Sequence, residues 1–138
     1  MEENLKFLEI SRGYDDKSIR ELSPLSLAFV GDAVYELLVR LYVLKGNKNV
    51  NTLHRKAIQY VKAQAQARGS ELIMDRLTEE ELSVFKRGRN ANPHTVPKNA
   101  KIVDYRMATG LEALFGYLYL RNEGSRIIEL FKMMEDLK

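Results

Sequence analysis

The sequence predicts an all-α protein. Apolar residues recur at helical rather than alternating spacing, and no segment sustains the period-two pattern of a half-buried strand. Helix-start and helix-stop signals punctuate the chain between the apolar runs. The 138 residues, 45% hydrophobic and 30% charged, suit one soluble domain with a core of its own. No cysteine is present, which excludes disulfides and thiolate metal sites and fits a reducing cytoplasm.

Each element follows from a local signal. Residues 1–22 are expected to form an N-terminal segment with a short helix and a turn around Gly13 and Tyr14, ahead of a main domain at residues 23–138. Ser23-Pro24 starts a helix, serine as cap and proline preformed for the first turn, which runs to about Lys45 and stops at Gly46-Asn47. Asn51 or Thr52 caps a second helix, LHRKAIQYVKAQAQA, that weakens around Gly69; Glu71 to Arg76 either continues it or begins a new piece. Thr78 followed by Glu79, Glu80 and Glu81 is a capping-box start, and this short third helix fades at Gly88. Arg89 to Asn99, with two prolines and three asparagines, reads as a loop. A fourth helix spans about Ile102 to Arg121 and ends at Asn122-Glu123-Gly124; Ser125 caps the last.

The N-terminus MEENLKFLEI lacks the basic-then-apolar pattern of a secretory signal. The stretch from Leu27 to Leu44 is long enough to raise a membrane question, but Asp32, Glu36 and Arg40 interrupt it on successive turns, so no membrane span is expected. Charge is uneven within a net of +3. Between Val50 and Ser70 stand Arg55, Lys56, Lys62 and Arg68 with no acid. Between Lys86 and Arg106 stand Lys86, Arg87, Arg89, Lys98, Lys101 and Arg106 against Asp104 alone. Two basic zones point to a polyanion partner; the plain alternative is a solvated surface of uneven charge.

Two acids are out of place. LAFVGDAVYELLVRLYVL is apolar enough for burial yet holds Gly31 and Asp32 side by side, and ATGLEALFGYLYL holds Glu112 between Gly110 and Gly116. A glycine in a helix costs about 1 kcal/mol relative to alanine, and a buried carboxylate needs a partner. Either each acid pairs with an arginine or a helix N-terminus, or the two converge and share a cation. Mg²⁺ suits the second arrangement, because it takes few carboxylates and retains waters that a phosphate can displace.

These residues carry a resemblance. LAFVGDAVYE is similar to the signature helix of the ribonuclease III family, and LEALFGYLYL to its later glutamate-bearing helix. The basic KRGRNA segment, the PKNA run and the total length resemble the short Mini-ribonuclease III branch, which lacks a double-stranded-RNA-binding domain. The resemblance covers about residues 23–135. It implies an all-α, cytoplasmic, homodimeric endonuclease that cleaves double-stranded RNA with Mg²⁺, or Mn²⁺ in its place, and matures the large-subunit (23S) ribosomal RNA precursor. Asp32 and Glu112 match the family's catalytic, metal-holding acids. Leu25 and Ala28 stand where the longer enzymes carry glutamates, Thr109 where they carry an aspartate, and the acid-free run from Val50 to Ser70 lacks a further one. Only two protein carboxylates per site are thus identified.

Other candidates are weighed beside these. Glu36 is expected to pair with Arg40 one turn on rather than to join the site. His54 and His94 have no partner at catalytic spacing. Tyr105, Tyr117 and Tyr119 suit core or interface, since duplex RNA exposes few bases for stacking. Arg55, Lys56, Arg87, Arg89 and Lys98 are the expected contacts to RNA phosphates. Phe29 is expected at a dimer interface, because the resemblance implies signature helices meeting across a two-fold axis. The alternative function is a non-catalytic, all-α RNA-binding module assisting ribosome assembly, which would have no use for acids in apolar helices.

Overall fold

The structure, a computed structural model, describes residues 14–46, 49–91 and 101–136, and every regular element among them is helical. In chain order these are α1 (Asp16–Glu21), α2 (Pro24–Leu44), α3 (Val50–Val61), α4 (Ala63–Ile73), a 3₁₀ turn (Met74–Arg76), α5 (Glu79–Asn90), α6 (Ile102–Leu120) and α7 (Gly124–Asp136). The all-α class read from the sequence is the class observed.

Helix α6 is the axis of the domain. From Ala108 to Leu118 every residue except Glu112 is buried, and α2, α5, α4 and α7 pack around it. The core they enclose centres on Tyr35, Phe85, Phe115, Leu111, Leu114, Leu118 and Leu130, with Ile19 of α1 also buried in it. Tyr35 meets Phe115 and Phe131 edge-on, at centroid distances of 5.6 and 5.8 Å, a favoured aromatic geometry.

The ends follow the expected chemistry. Ser23 Oγ accepts from the Ser26 amide at 3.1 Å, with Pro24 in the first turn. The Thr78 hydroxyl accepts from the Glu81 amide at 3.1 Å while Glu81 Oε1 accepts from the Thr78 amide at 2.9 Å, a complete capping box. Helix α6 closes with Asn122 at φ 61°. The Asn122 and Glu123 amides donate to the carbonyls of Tyr119 (3.0 Å) and Leu118 (2.9 Å). That is a Schellman ending, with asparagine in the left-handed position it tolerates better than most residues.

Ser125 lies inside α7, which begins at Gly124, rather than capping it, and three further expectations need correction. The second helix starts earlier, capped by Asn49 Oδ1, which accepts from the Asn51 and Thr52 amides at 2.9 and 3.3 Å. It also breaks: Lys62 is extended (ψ 151°), ending α3 and opening α4, while the Gln66 side chain donates back to the Val61 carbonyl at 2.8 Å. Third, Gly88 does not end α5. A Cβ there would sit 2.7 Å from Ala113 Cβ and 3.0 Å from Gly110 Cα, so this glycine is where α5 lies against α6. Arg89 and Asn90 are accordingly helical, and the rest of the expected loop, residues 92–100, is outside the described residues.

The closest approach in the fold is between α2 and α6. A Cβ on Gly31 would lie 1.6 Å from the Glu112 carbonyl oxygen, and one on Gly116 would lie 2.0 Å from that of Leu27. The two backbones are therefore in direct contact, and no side chain fits between them. Helix α2 buries only the face bearing Leu27, Ala28, Gly31, Tyr35, Val39 and Val43. Phe29, Leu37, Leu41 and Leu44 are exposed, so one apolar face of this helix is left open among the described residues.

A buried ion pair ties the opposite side. Glu81, 5% exposed, receives the Nε and Nη2 of Arg126, each at 2.8 Å, and Arg126 Nη2 also donates to the Arg76 carbonyl at 2.8 Å. One fork thus joins α5, the 3₁₀ turn and α7. Burial raises the Glu81 carboxyl, but the bonds from Arg126 and from the Thr78 backbone outweigh it and hold the group below its ordinary value.

The glycine contact gives a direct test. Gly116→Ala should cost about 3 kcal/mol in urea unfolding, the upper end of the usual overpacking range, because backbone must move to admit the methyl group. Gly46→Ala, where nothing lies within 4 Å and φ is not positive, should change stability by less than about 0.5 kcal/mol. Equal midpoints for the two variants would refute the backbone contact.

Candidate active site

The same crossing decides where the two acids go. Asp32 follows Gly31 directly, and the α6 backbone against Gly31 is that of Glu112. The carboxyl groups consequently meet: Asp32 acts on Glu112 both as a like charge and as a hydrogen-bond partner. Their burial is unequal. Asp32 is exposed and Glu112 only partly so, which corrects the picture of two equally buried acids. Asp32 needs no partner to offset desolvation; Glu112 does.

Burial is the largest influence on Glu112, followed by the charge of Asp32; both favour the protonated acid, and its pKa is pushed up to about 8. Gln66 opposes them by donating Nε2–H to Glu112 Oε2 at 3.2 Å. Neither acid has an ion-pair partner among the described residues, so no described arginine neutralises either of them.

Two carboxyl groups held this way can share a proton or a cation. The donor set is all oxygen, which suits a hard cation. Among the described residues no group of three or more His, Asp or Glu gathers, so a cage built wholly of protein ligands is absent. Beside the pair, Gln66 Oε1 is the buried side-chain polar atom left without a hydrogen-bond partner. These features fit a cation that keeps much of its water and binds through one or two carboxylates, as Mg²⁺ does.

The remaining candidates are dispersed. Glu36 pairs with Arg40 at 2.9 Å, as its spacing suggested. Arg55 and Lys56 are exposed on α3, Arg55 donating to Thr52 Oγ1 at 3.3 Å. Arg87 and Arg89 occupy the last turn of α5, where positive charge also complements the helix dipole; Arg87 borders an open groove with Lys86 and Asn90. Lys98 and His94 lie outside the described residues. Thr109 spends its hydroxyl on the Tyr105 carbonyl at 2.9 Å, so it does not supply the missing carboxylate. Tyr117 is buried and donates to Glu80. Phe29, 83% exposed, stands one turn before Asp32 on the helix surface.

Sequence reasoning missed Gln66. It is one of two glutamines in AQAQA, and only the break at Lys62 turns it inward while leaving Gln64 exposed.

Comparison with known proteins decides the family. The family model of the ribonuclease III domain matches residues 25–123. The chain belongs to the ribonuclease III family. Among its relatives, the Mini-ribonuclease 3 of Clostridium tetani is 49% identical over 126 residues, covering 90% of this chain and 83% of that one. That of Brevibacillus brevis is 51% identical over 109 residues, covering 78% and 81%. A crystal structure of a Fusobacterium nucleatum protein, 35% identical, superposes with a TM-score of 0.77 over 82% of this chain and 93% of its own. The resemblance carried by LAFVGDAVYE and LEALFGYLYL is therefore borne out, and with the family comes the activity class of an endoribonuclease.

The acid pair predicts an unusual pH dependence. Below about pH 4.5 Glu112 is protonated whether the chain is folded or not, and it contributes nothing. Between its ordinary value of 4.5 and about 8, the unfolded chain releases a proton that the fold retains, so stability falls as pH rises and the loss is complete above that window. In chelator near pH 7.5, Glu112→Gln should therefore be more stable than the parent by on the order of 2 kcal/mol, the difference nearly vanishing near pH 4.5. Denaturant titrations at the two pH values check it; no gain at the higher pH would sink the strained-pair reading.

Proposed function

We propose that the protein is a Mg²⁺-dependent endoribonuclease specific for double-stranded RNA, acting as a cytoplasmic homodimer in maturation of the 23S ribosomal RNA precursor. The observation that carries this is the meeting of Asp32 and Glu112 at a glycine-to-glycine helix crossing, in a domain of the ribonuclease III family. A module that only bound RNA would gain nothing from a carboxyl held at so unfavourable a pKa.

In this reading residues 23–138 are the catalytic domain. Asp32 and Glu112 hold the cation, with Mn²⁺ able to replace Mg²⁺. When bound, the cation supplies Lewis acidity, activating water for attack on phosphorus and stabilising the leaving oxygen. The chain's own contribution is placement. The crossing fixes both carboxylates, Gln66 holds one oxygen of Glu112, and the exposure of Asp32 leaves a path for a phosphodiester to approach. Arg55, Lys56, Arg87, Arg89 and Lys98 meet backbone phosphates, an electrostatic grip that weakens as salt rises. The similarity of KRGRNA and PKNA to the short branch of the family supports the ribosomal RNA substrate. No helix among the described residues is long and apolar enough to cross a membrane.

Cutting both strands of a duplex calls for two centres related by a two-fold axis, which a C₂ dimer supplies. The outward apolar face of α2, led by Phe29, supports an isologous interface there.

Two outcomes test this reading. Asp32→Asn should reduce cleavage of duplex RNA to background while leaving helix content and RNA retention in a gel unchanged, and excess chelator should do the same to the parent. Full activity in chelator would remove the cation mechanism. Separately, Phe29→Asp should give a monomer by light scattering and cleave poorly with both acids intact. A parent protein that is monomeric under assay conditions yet cuts both strands would overturn the dimer.

A further inference from the structure

Gln66 is 3% exposed and lies in the first turn of α4, immediately after the chain changes direction at Lys62. Its amide nitrogen serves two acceptors, the Val61 carbonyl at 2.8 Å and Glu112 Oε2 at 3.2 Å. Both neighbours present oxygens, so the NH₂ end must face them, and the orientation of the amide is fixed by the network. The base of the side chain is equally settled: the Gln66 backbone carbonyl accepts from the buried Ser70 hydroxyl at 2.8 Å. What is left over is Oε1, buried and without a partner. An acceptor stranded in this way costs about 1–3 kcal/mol.

A clamp on the α3–α4 break accounts for the bond to Val61 but for neither other feature. The bond to Glu112 and the bare Oε1 both belong to the acid pair. We infer that Gln66 is the positioning residue of Glu112: it ties down Oε2, turns the rest of the carboxyl toward Asp32 where a cation would replace the proton the two acids share, and offers its own Oε1 as an acceptor to the cation's water shell. The inference rests on the reading of Asp32 and Glu112 as cation ligands. Polar groups that orient a metal's ligands commonly change its affinity 10- to 100-fold when removed, an effect of about 1.4–2.7 kcal/mol.

The test uses the full chain and Mn²⁺ as probe, free ion being counted by its paramagnetic resonance. Gln66→Met keeps an unbranched side chain of similar length and removes both hydrogen-bonding ends. It should weaken Mn²⁺ binding by roughly ten-fold or more, lower kcat at limiting Mg²⁺ with recovery at high Mg²⁺, and leave KM for duplex RNA unchanged. Its fold should survive in chelator with a lowered unfolding midpoint, since loss of the stranded acceptor only partly offsets the lost bonds to Val61 and Glu112. In a Glu112→Gln background the same substitution should cost clearly less affinity, because the larger part of its effect passes through Glu112 and only the contact of Oε1 with the water shell remains. Should Gln66→Met fail to fold, Gln66→Asn, too short to reach both acceptors, should show the same loss of affinity. Parental Mn²⁺ affinity in the folded variant, or an equal loss in the Glu112→Gln background, would overturn the inference. A parent chain that binds no Mn²⁺ at all would instead refute the cation reading of the acid pair, and this inference with it.

Discussion

With only hydrogen at Gly31 and Gly116, the backbones of α2 and α6 come into contact where any side chain would collide with a carbonyl oxygen. Each glycine weakens its own helix by about 1 kcal/mol, and the core around the crossing offsets this through Tyr35, Phe115, Leu27 and Leu111. The helices could associate at an ordinary separation with alanine at these positions. What would be lost is registration of Asp32 against Glu112, since a wider spacing carries the two carboxyls apart. The fold therefore places its least forgiving packing directly beneath its most strained electrostatics.

That strain is unequally shared. Asp32 stands in solvent, whereas Glu112 is drawn into the protein beside another carboxyl group, and among the described residues the bond that favours its ionised form comes from one glutamine amide. The Glu81–Arg126 pair makes the contrast plain. There a carboxylate still more deeply buried is held ionised by a bidentate guanidinium and a capping amide. The chain thus contains a worked solution for burying an acid and does not apply it at Glu112. Among the described residues nothing supplies at Glu112 the positive charge that Arg126 supplies at Glu81.

Much of this was legible in the sequence, for reasons that can be named. Ser23-Pro24, Thr78 with Glu81, and Asn122 act on their nearest neighbours, and each terminates a helix as its local chemistry dictates. Asp32 and Glu112 stood out because apolar surroundings make a carboxylate conspicuous. The misses share a different cause. The break at Lys62 sits in a run with good helical spacing, and the contacts of Gln66 across 46 residues, not local propensity, accompany it. Gly88 reads as a stop until α6 is seen pressed against it. Such information is tertiary, and it lies outside what neighbouring residues specify.

The break at Lys62 also has a mechanical side. Helix α3 contains no fully buried residue, resting on the core only through the partly covered Leu53, Ala57, Tyr60 and Val61. An element held so lightly opens at a lower free energy than the domain as a whole. Had α3 and α4 been one rod, tilting its outer half would have levered Gln66, and through it Glu112, out of place. Because the rod is cut at Lys62, opening of α3 need not carry Gln66 with it, and the carboxyl pair stays with the body of the domain. The articulation separates compliance from precision within a single small fold.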